Sequence, residues 1–218
     1  MDCYQRKSPG KLRSVFLSGW PVFLIVMLVL ISGLMAGSIS SSRMDPAKAQ
    51  DLSTYIQDFV QKVDGVNFDS ARIAKNAMFN NAIMVIAIYI LGLTVIGMPV
   101  TLAILFVRGF IIGFAVGFLT RDMSLGGVLL TLASILPHNL LYFPAVFIGT
   151  SASVMFSLLL LKRNFSTSVR ILPGLLKYTA VMVGVLVVVL GASLVEGYIT
   201  PGFTKLAAQF ILSGHIPK

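Results

Sequence analysis

The residues best placed to do chemistry are Arg108, His138 and Glu196, each inside or beside a long apolar run. Catalysis at membrane depth would need a nucleophile, a metal site or an acid–base pair. His138 is the single histidine in the apolar region, and His215 sits in the tail. One histidine cannot hold zinc without further ligands, and no His-Glu-x-x-His, Gly-x-Ser-x-Gly or phosphate loop occurs. Cys3 is the only cysteine, which excludes an intrachain disulfide and a thiolate cluster. Glu196 ends an apolar run, where a solvated carboxylate is expected. Arg108 has no acidic residue in a neighbouring turn; Asp122 would lie about 21 Å further along a helix. The expected partners of Arg108 are therefore the carbonyls and side chains around Pro137, His138 and Asn139. No catalytic residue, metal or cofactor is expected.

The elements that must position these residues follow from composition. The chain has 218 residues, 56% hydrophobic and 11% charged, with a mean hydropathy of +0.90. Soluble domains carry about 25% charged residues. Charge-free runs cover 14–42, 76–107, 123–161 and 178–195, and about 20 apolar residues cross a bilayer as a helix. The runs do not alternate as barrel strands would. The expected fold is all-α: a polytopic membrane bundle of five spans, a re-entrant or interfacial segment and an external amphipathic helix, in one membrane domain over 1–218. The net charge of +9 sits in short clusters beside apolar runs, as orientation and anionic lipid require. Membrane lipid is the implied partner, and nucleic acid is not.

In chain order, residues 1–14 hold Arg6, Lys7, Lys11 and Arg13 against Asp2. They read as a cytoplasmic flank. Trp20 is placed as an interfacial anchor, and Val22 to Ile39 completes a retained signal-anchor, because the apolar run is too long for a typical cleaved signal peptide. Residues 40–75 are external. Asp45-Pro46 fits an N-cap with proline at the first helical position. Leu52, Tyr55, Ile56, Phe59, Val60 and Val63 then recur on one helical face, which lies on the bilayer, covers the bundle or meets a partner. Asp64 to Asn67 makes a turn, and a helix restarts near Asp69 to span about 78–96. Gly97-Met98-Pro99 reads as a tight turn, and 101–119 as the next span. The run 123–161 is too long for one span, yet two would put the basic loop 162–177 outside, against the positive-inside rule. One crossing at about 141–161 is expected, with a helical piece at 125–136 and a break at 137–139. A last span covers about 178–195. The tail 198–218 is external, with Phe203, Leu206, Phe210 and Ile211 on a short amphipathic helix.

Gly109, Gly113 and Gly117 recur every four residues and form one helical face, with Phe110, Phe114 and Phe118 beside it. Such a stripe lets another helix approach backbone to backbone. Gly33 and Gly37 form a second small-residue pair. Arg108 heads the stripe, where a charge is costly and usually has a reason. Two readings follow: a packing helix with its arginine neutralised by neighbours, or a helix and arginine that hold a broken segment from elsewhere. Exposed small-residue faces also favour a homo-oligomer.

Ile-Gly-Met-Pro at 96–99, Arg-Gly-Phe-Ile-Ile-Gly-Phe-Ala-Val-Gly-Phe-Leu at 108–119, Leu-Pro-His-Asn at 136–139 and Phe-Pro-Ala at 143–145 carry a resemblance. In this order, and with a terminal Glu-Gly-Tyr-Ile-Thr-Pro, the chain resembles the stage II sporulation protein M family from about residue 12 to 203. The resemblance implies a multi-pass membrane protein of endospore-forming bacteria, on the mother-cell side of the septum and engulfing membrane. It implies a non-catalytic scaffold that anchors and activates two peptidoglycan-cleaving partners, the stage II sporulation proteins D and P. It also implies histidine or glutamine at the third position of Leu-Pro-His-Asn, hence hydrogen bonding rather than proton transfer at His138. Arg108, Gly109, Gly113, Gly117, Pro137, His138 and Asn139 are the structural or interaction candidates. A small-solute or ion transporter or channel is the alternative, since a buried arginine and a broken helix also line substrate pathways. No convincing internal repeat favours it.

The cytoplasmic segments 1–14 and 162–177 hold eight Lys or Arg against Asp2, a net of +7, while the outer segments net +1. The N-terminus, 97–99 and 162–177 should therefore be cytoplasmic, and 40–75, 120–123 and the C-terminus external. On a Cys3→Ser background, Ser168→Cys should resist a membrane-impermeant thiol reagent in intact cells. Strong labelling there would overturn the orientation.

Overall fold

The structure, a computed structural model, describes residues 11–65, 68–122, 124–165 and 171–213. The sequence features at Cys3, Arg6, Lys7, Asn67, Arg170 and His215 lie outside them. Among the described residues eight α-helices follow one another: α1 Lys11–Ser42, α2 Pro46–Lys62, α3 Ser70–Gly92, α4 Gly97–Asp122, α5 Ser124–Ser134, α6 Leu136–Phe165, α7 Leu172–Leu194 and α8 Thr200–Leu212. A 3₁₀ turn, Val63–Gly65, follows α2, and a π-helical turn, Val195–Ile199, joins α7 to α8. No strand occurs among the described residues. Five helical runs among the described residues are long and apolar enough to cross a membrane, as expected where lipid offers the backbone no hydrogen-bond partner.

Local chemistry explains the helix starts. Asp45 Oδ1 accepts from Ala47 N at 2.9 Å, with Pro46 opening α2. Asp69 Oδ1 accepts from Arg72 N at 3.0 Å and starts α3. The turn between α3 and α4 falls at 93–96, earlier than expected. Gly97, Met98 and Pro99 are the first turn of α4 instead. Pro99 fits there because early helical N–H groups have no intrahelical partner. Thr94 Oγ1 accepts from Gly97 N at 3.0 Å and tightens the entry.

The break before α6 is also earlier and shorter than expected. The helix is interrupted at Ile135, and Pro137, His138 and Asn139 form the first turn of α6. Proline is tolerated in a first turn for the reason that applies to Pro99. Asn139 Nδ2 donates to Ile135 O at 2.7 Å, satisfying a carbonyl at the break. At 11 residues, α5 is about 16 Å long, roughly half a span. Only α6 is long enough to cross between 123 and 165.

The last crossing does not end in a free tail. Helical conformation runs from Leu172 to Leu212, 41 residues, or about 62 Å, twice the thickness of a hydrocarbon core. The α8 face turned inward carries Thr204, Ala207 and Ala208, whereas Phe203, Leu206 and Phe210 point out. Val60, Val63, Leu130, Ala133, Ala207 and Ala208 form a small core joining the end of α2, α5 and α8. The main core lies among α1, α3, α4, α6 and α7, around Val26, Ile88, Leu105, Val146 and Val189.

The most extensive helix pair is α1 with α4. Gly109 lies against Leu30 and Leu34, Gly113 against Leu34, and Gly117 against Ser38 and Ser41. From the other side, Gly33 meets Phe106 and Phe110, and Gly37 meets Phe110 and Phe114. Residue numbers rise together along both helices, from Leu30 with Gly109 through Leu34 with Gly113 and Ser38 with Gly117 to Ser42 with Arg121, so the two helices run parallel. Arg121 Nη1 donates to Ser42 O at 2.8 Å, covering a carbonyl at the α1 terminus. A Cβ at Gly113 would strike the Leu34 backbone, with Leu34 C 2.7 Å away.

At the other end of the bundle, side chains of α6 and α7 close α3. Ser157 Oγ donates at 3.0 Å to Gly92 O or Thr94 O, and Ser153 Oγ donates to Ile88 O at 3.3 Å. Tyr178 OH donates to Tyr89 O at 3.0 Å or Ile88 O at 3.2 Å. These hydroxyls occupy carbonyls that a helix end leaves without partners.

Gly113→Leu should destabilise the bundle by about 3 kcal/mol, the upper range for overpacking. Gly184→Leu is the control: its Cβ meets nothing within 4 Å, so the change should stay within about 0.5 kcal/mol. Reversible unfolding in detergent micelles would measure both, and equal losses would refute the α1–α4 contact.

Candidate functional site

The glycine stripe fixes how α4 is rotated, and that rotation decides where Arg108 goes. Gly109 faces α1, so Arg108, one residue earlier and about 100° round the helix, faces α3 and α6. Its Nε donates to Met84 Sδ at 3.1 Å. Its guanidinium lies over the Tyr142 ring, with Cζ 5.3 Å from the centroid. Tyr142 OH donates to the same sulfur at 2.8 Å. A planar cation suits an aromatic face, and a thioether is a weak acceptor. The hydrogen bonds expected from Arg108 to residues 137–139 are absent. Tyr142, one turn beyond His138 on α6, meets the guanidinium instead.

Around this group lies a cavity of about 250 Å³, whose polar lining is Asn81, Arg108, His138, Asn139, Tyr142 and Glu196. Asn81 is buried and donates from Nδ2 to Ser193 Oγ at 3.0 Å, linking α3 to α7. Asn139 turns its amide to Ile135 O. His138 Nδ1 is buried without a hydrogen-bond partner.

Glu196 corrects the sequence reading. It is partly buried and forms part of the cavity wall, rather than standing apart at the end of a span. The cause is the π-helical turn Val195–Ile199, which widens the helix locally and re-aims a side chain, as such bulges do at functional sites. Gly197 lets this turn press against α3: a Cβ there would lie 2.6 Å from Ala74 Cα. The legible signal was the Glu-Gly pair inside an otherwise helical apolar stretch. Among the described residues, Arg108 and Glu196 form no ion pair.

The candidates thus separate. Arg108, His138 and Asn139 line the cavity. Pro137 starts the helix that carries two of them. Gly109, Gly113 and Gly117 lie outside it, at the α1 contact. No serine, threonine or cysteine lines the cavity, and no group of three His, Cys, Asp or Glu able to hold a metal ion occurs among the described residues. The arrangement can bind and orient charge; it offers no serine, threonine or cysteine nucleophile.

A profile of the family described as stage II sporulation protein M matches residues 24–201. The chain belongs to this family. The match covers α1 from Leu24 and ends just inside α8, so it takes in the glycine stripe, the cavity and the π-helical turn. Family membership makes the chain a sporulation-related membrane protein. No curated protein and no solved structure gives a significant match.

A double-mutant cycle tests the Arg108–Tyr142 contact. Arg108→Lys keeps the charge but loses the planar face, and Tyr142→Leu removes the ring. Their coupling in reversible unfolding should be about 1 kcal/mol, between exposed and desolvated cation–π values. A coupling near zero would place the guanidinium elsewhere.

Proposed function

We propose that the chain is a non-catalytic membrane scaffold that anchors, localises or activates peptidoglycan hydrolases during septal thinning and forespore engulfment. The partners are the stage II sporulation proteins D and P, as family membership suggests. In this reading the α3–α4 turn and 162–177 face the mother-cell cytoplasm, and α2 lies on the far side of the membrane.

The observation that carries the reading is the surface of α2. Its apolar face divides: Val60 and, just past its end, Val63 are buried and hold the helix on α8. Tyr55 is 71% exposed and Phe59 39% exposed, beside exposed Asp51, Gln57 and Asp58. Aromatic side chains within a polar rim suit a protein interface. A second reading, a small-solute or ion transporter, is favoured by the charged cavity. It requires ligand-dependent flux in liposomes, which a scaffold does not produce.

Tyr55→Ala with Phe59→Ala should lower co-purification of peptidoglycan hydrolases from sporulating cells about tenfold, the loss of one aromatic anchor or more. The amount of the chain in the membrane should stay unchanged. Unaltered co-purification would remove α2 as the docking surface.

A further inference from the structure

The cavity beside Arg108 does not end at its polar wall. Ile112, Ile135 and Asn139 also line a neighbouring groove of about 450 Å³. Its remaining wall is apolar apart from Thr131, and includes Val116, Leu136, Leu140 and Phe143. A charged pocket and an apolar groove between α4, α5 and α6 therefore adjoin across Ile112, Ile135 and Asn139. Within the pocket, Arg108 and Glu196 contribute opposite charges that do not pair with each other. Two buried polar atoms on these walls lack partners: His138 Nδ1 in the pocket and Thr131 Oγ1 in the groove.

Opposite charges held apart in a partly buried site lose some of their solvation unless each is met. A ligand with an anion at one end of its head, an ammonium at the other and an apolar chain would meet all these features together. We propose that this composite site binds one zwitterionic phospholipid with a phosphoethanolamine head. Its phosphate accepts from the Arg108 guanidinium, and its ammonium donates to the Glu196 carboxylate. An acyl chain lies along the groove past Val116 and Phe143. The Thr131 hydroxyl donates to a glycerol-ester oxygen, and His138 Nδ1 takes a hydrogen bond at the head. A phosphocholine head lacks the ammonium N–H donors, and a phosphoglycerol head would offer Glu196 only neutral hydroxyls in place of a cation. The assignment goes beyond the scaffold reading and does not depend on it.

The full chain is purified in detergent, exposed to phosphatidylethanolamine, phosphatidylcholine or phosphatidylglycerol, and read by native mass spectrometry. One phosphatidylethanolamine should be retained, about tenfold more tightly than phosphatidylglycerol, the equivalent of one charged hydrogen bond. Glu196→Gln, nearly isosteric, should bring the two lipids to near parity without changing the melting temperature of the lipid-free protein. Arg108→Gln should weaken all three lipids; where it yields no folded protein, Glu196→Gln decides alone. Equal retention of all lipids by the unaltered chain would mean surface lipid only and would overturn the assignment. So would a preference that survives Glu196→Gln. Val116→Trp should block the groove and weaken phosphatidylethanolamine retention. Undiminished retention in that variant, with displacement by soluble glycerophosphoethanolamine, would assign the pocket to a water-soluble zwitterion and overturn the lipid.

Discussion

The parallel backbone contact between α1 and α4 is the constraint on which the remaining structure depends. Between helices in lipid there is no hydrophobic driving force, so close van der Waals contact must hold them. Glycines on both helices supply that contact. Parallel neighbours cannot be joined by a short turn, so the chain makes an excursion through α2 and returns as α3. The same contact fixes the rotation of α4. With Gly109 against Leu30, Arg108 has one direction left, toward Met84 and Tyr142.

A second constraint is that polar groups within the bundle must be met internally. The α3 terminus obeys it, since hydroxyls from Ser153, Ser157 and Tyr178 reach its last carbonyls. Asn81 obeys it through Ser193. The cavity obeys it least: Arg108 and Glu196 share a wall without pairing, and His138 Nδ1 has no partner. Among the described residues, two of the three buried side-chain polar atoms without a partner, His138 Nδ1 and Thr131 Oγ1, thus lie at this cavity and the groove beside it, and the third, Thr150 Oγ1, lies elsewhere on α6. Departures from local rules of this kind gather at sites of function.

The α2 surface and the cavity differ in chemistry. The α2 surface lies at one end of the bundle and offers aromatic side chains in a polar setting, as a protein partner would need. The cavity is embedded among spans and offers charge beside an apolar groove, as an amphiphile would need. The small core of Val60, Val63, Leu130, Ala133, Ala207 and Ala208 connects them physically, because α2 rests on α8 and α8 packs on α5, which borders the groove.

The sequence by itself determined the class of fold and the membership of the family. Apolar runs of span length fix the helices because lipid permits little else, and the four-residue glycine spacing fixes a face for close packing. The caps at Asp45 and Asp69 were legible for the same reason: each depends on a few adjacent residues. The turn before Gly97 and the break at Ile135 were displaced by a few residues, since proline reads as a breaker in sequence but is accommodated in a first helical turn. What only the tertiary structure decided was pairing. The glycine stripe did not say that α1 would be its partner. The tail did not say that its small residues, rather than Phe203 and Leu206, would face inward. Glu196 lies far along the chain from Arg108 and His138, and a π-helical turn pressed against Ala74 brings it to the same cavity. Such a juxtaposition depends on how three helices pack, and no local pattern of residues encodes it.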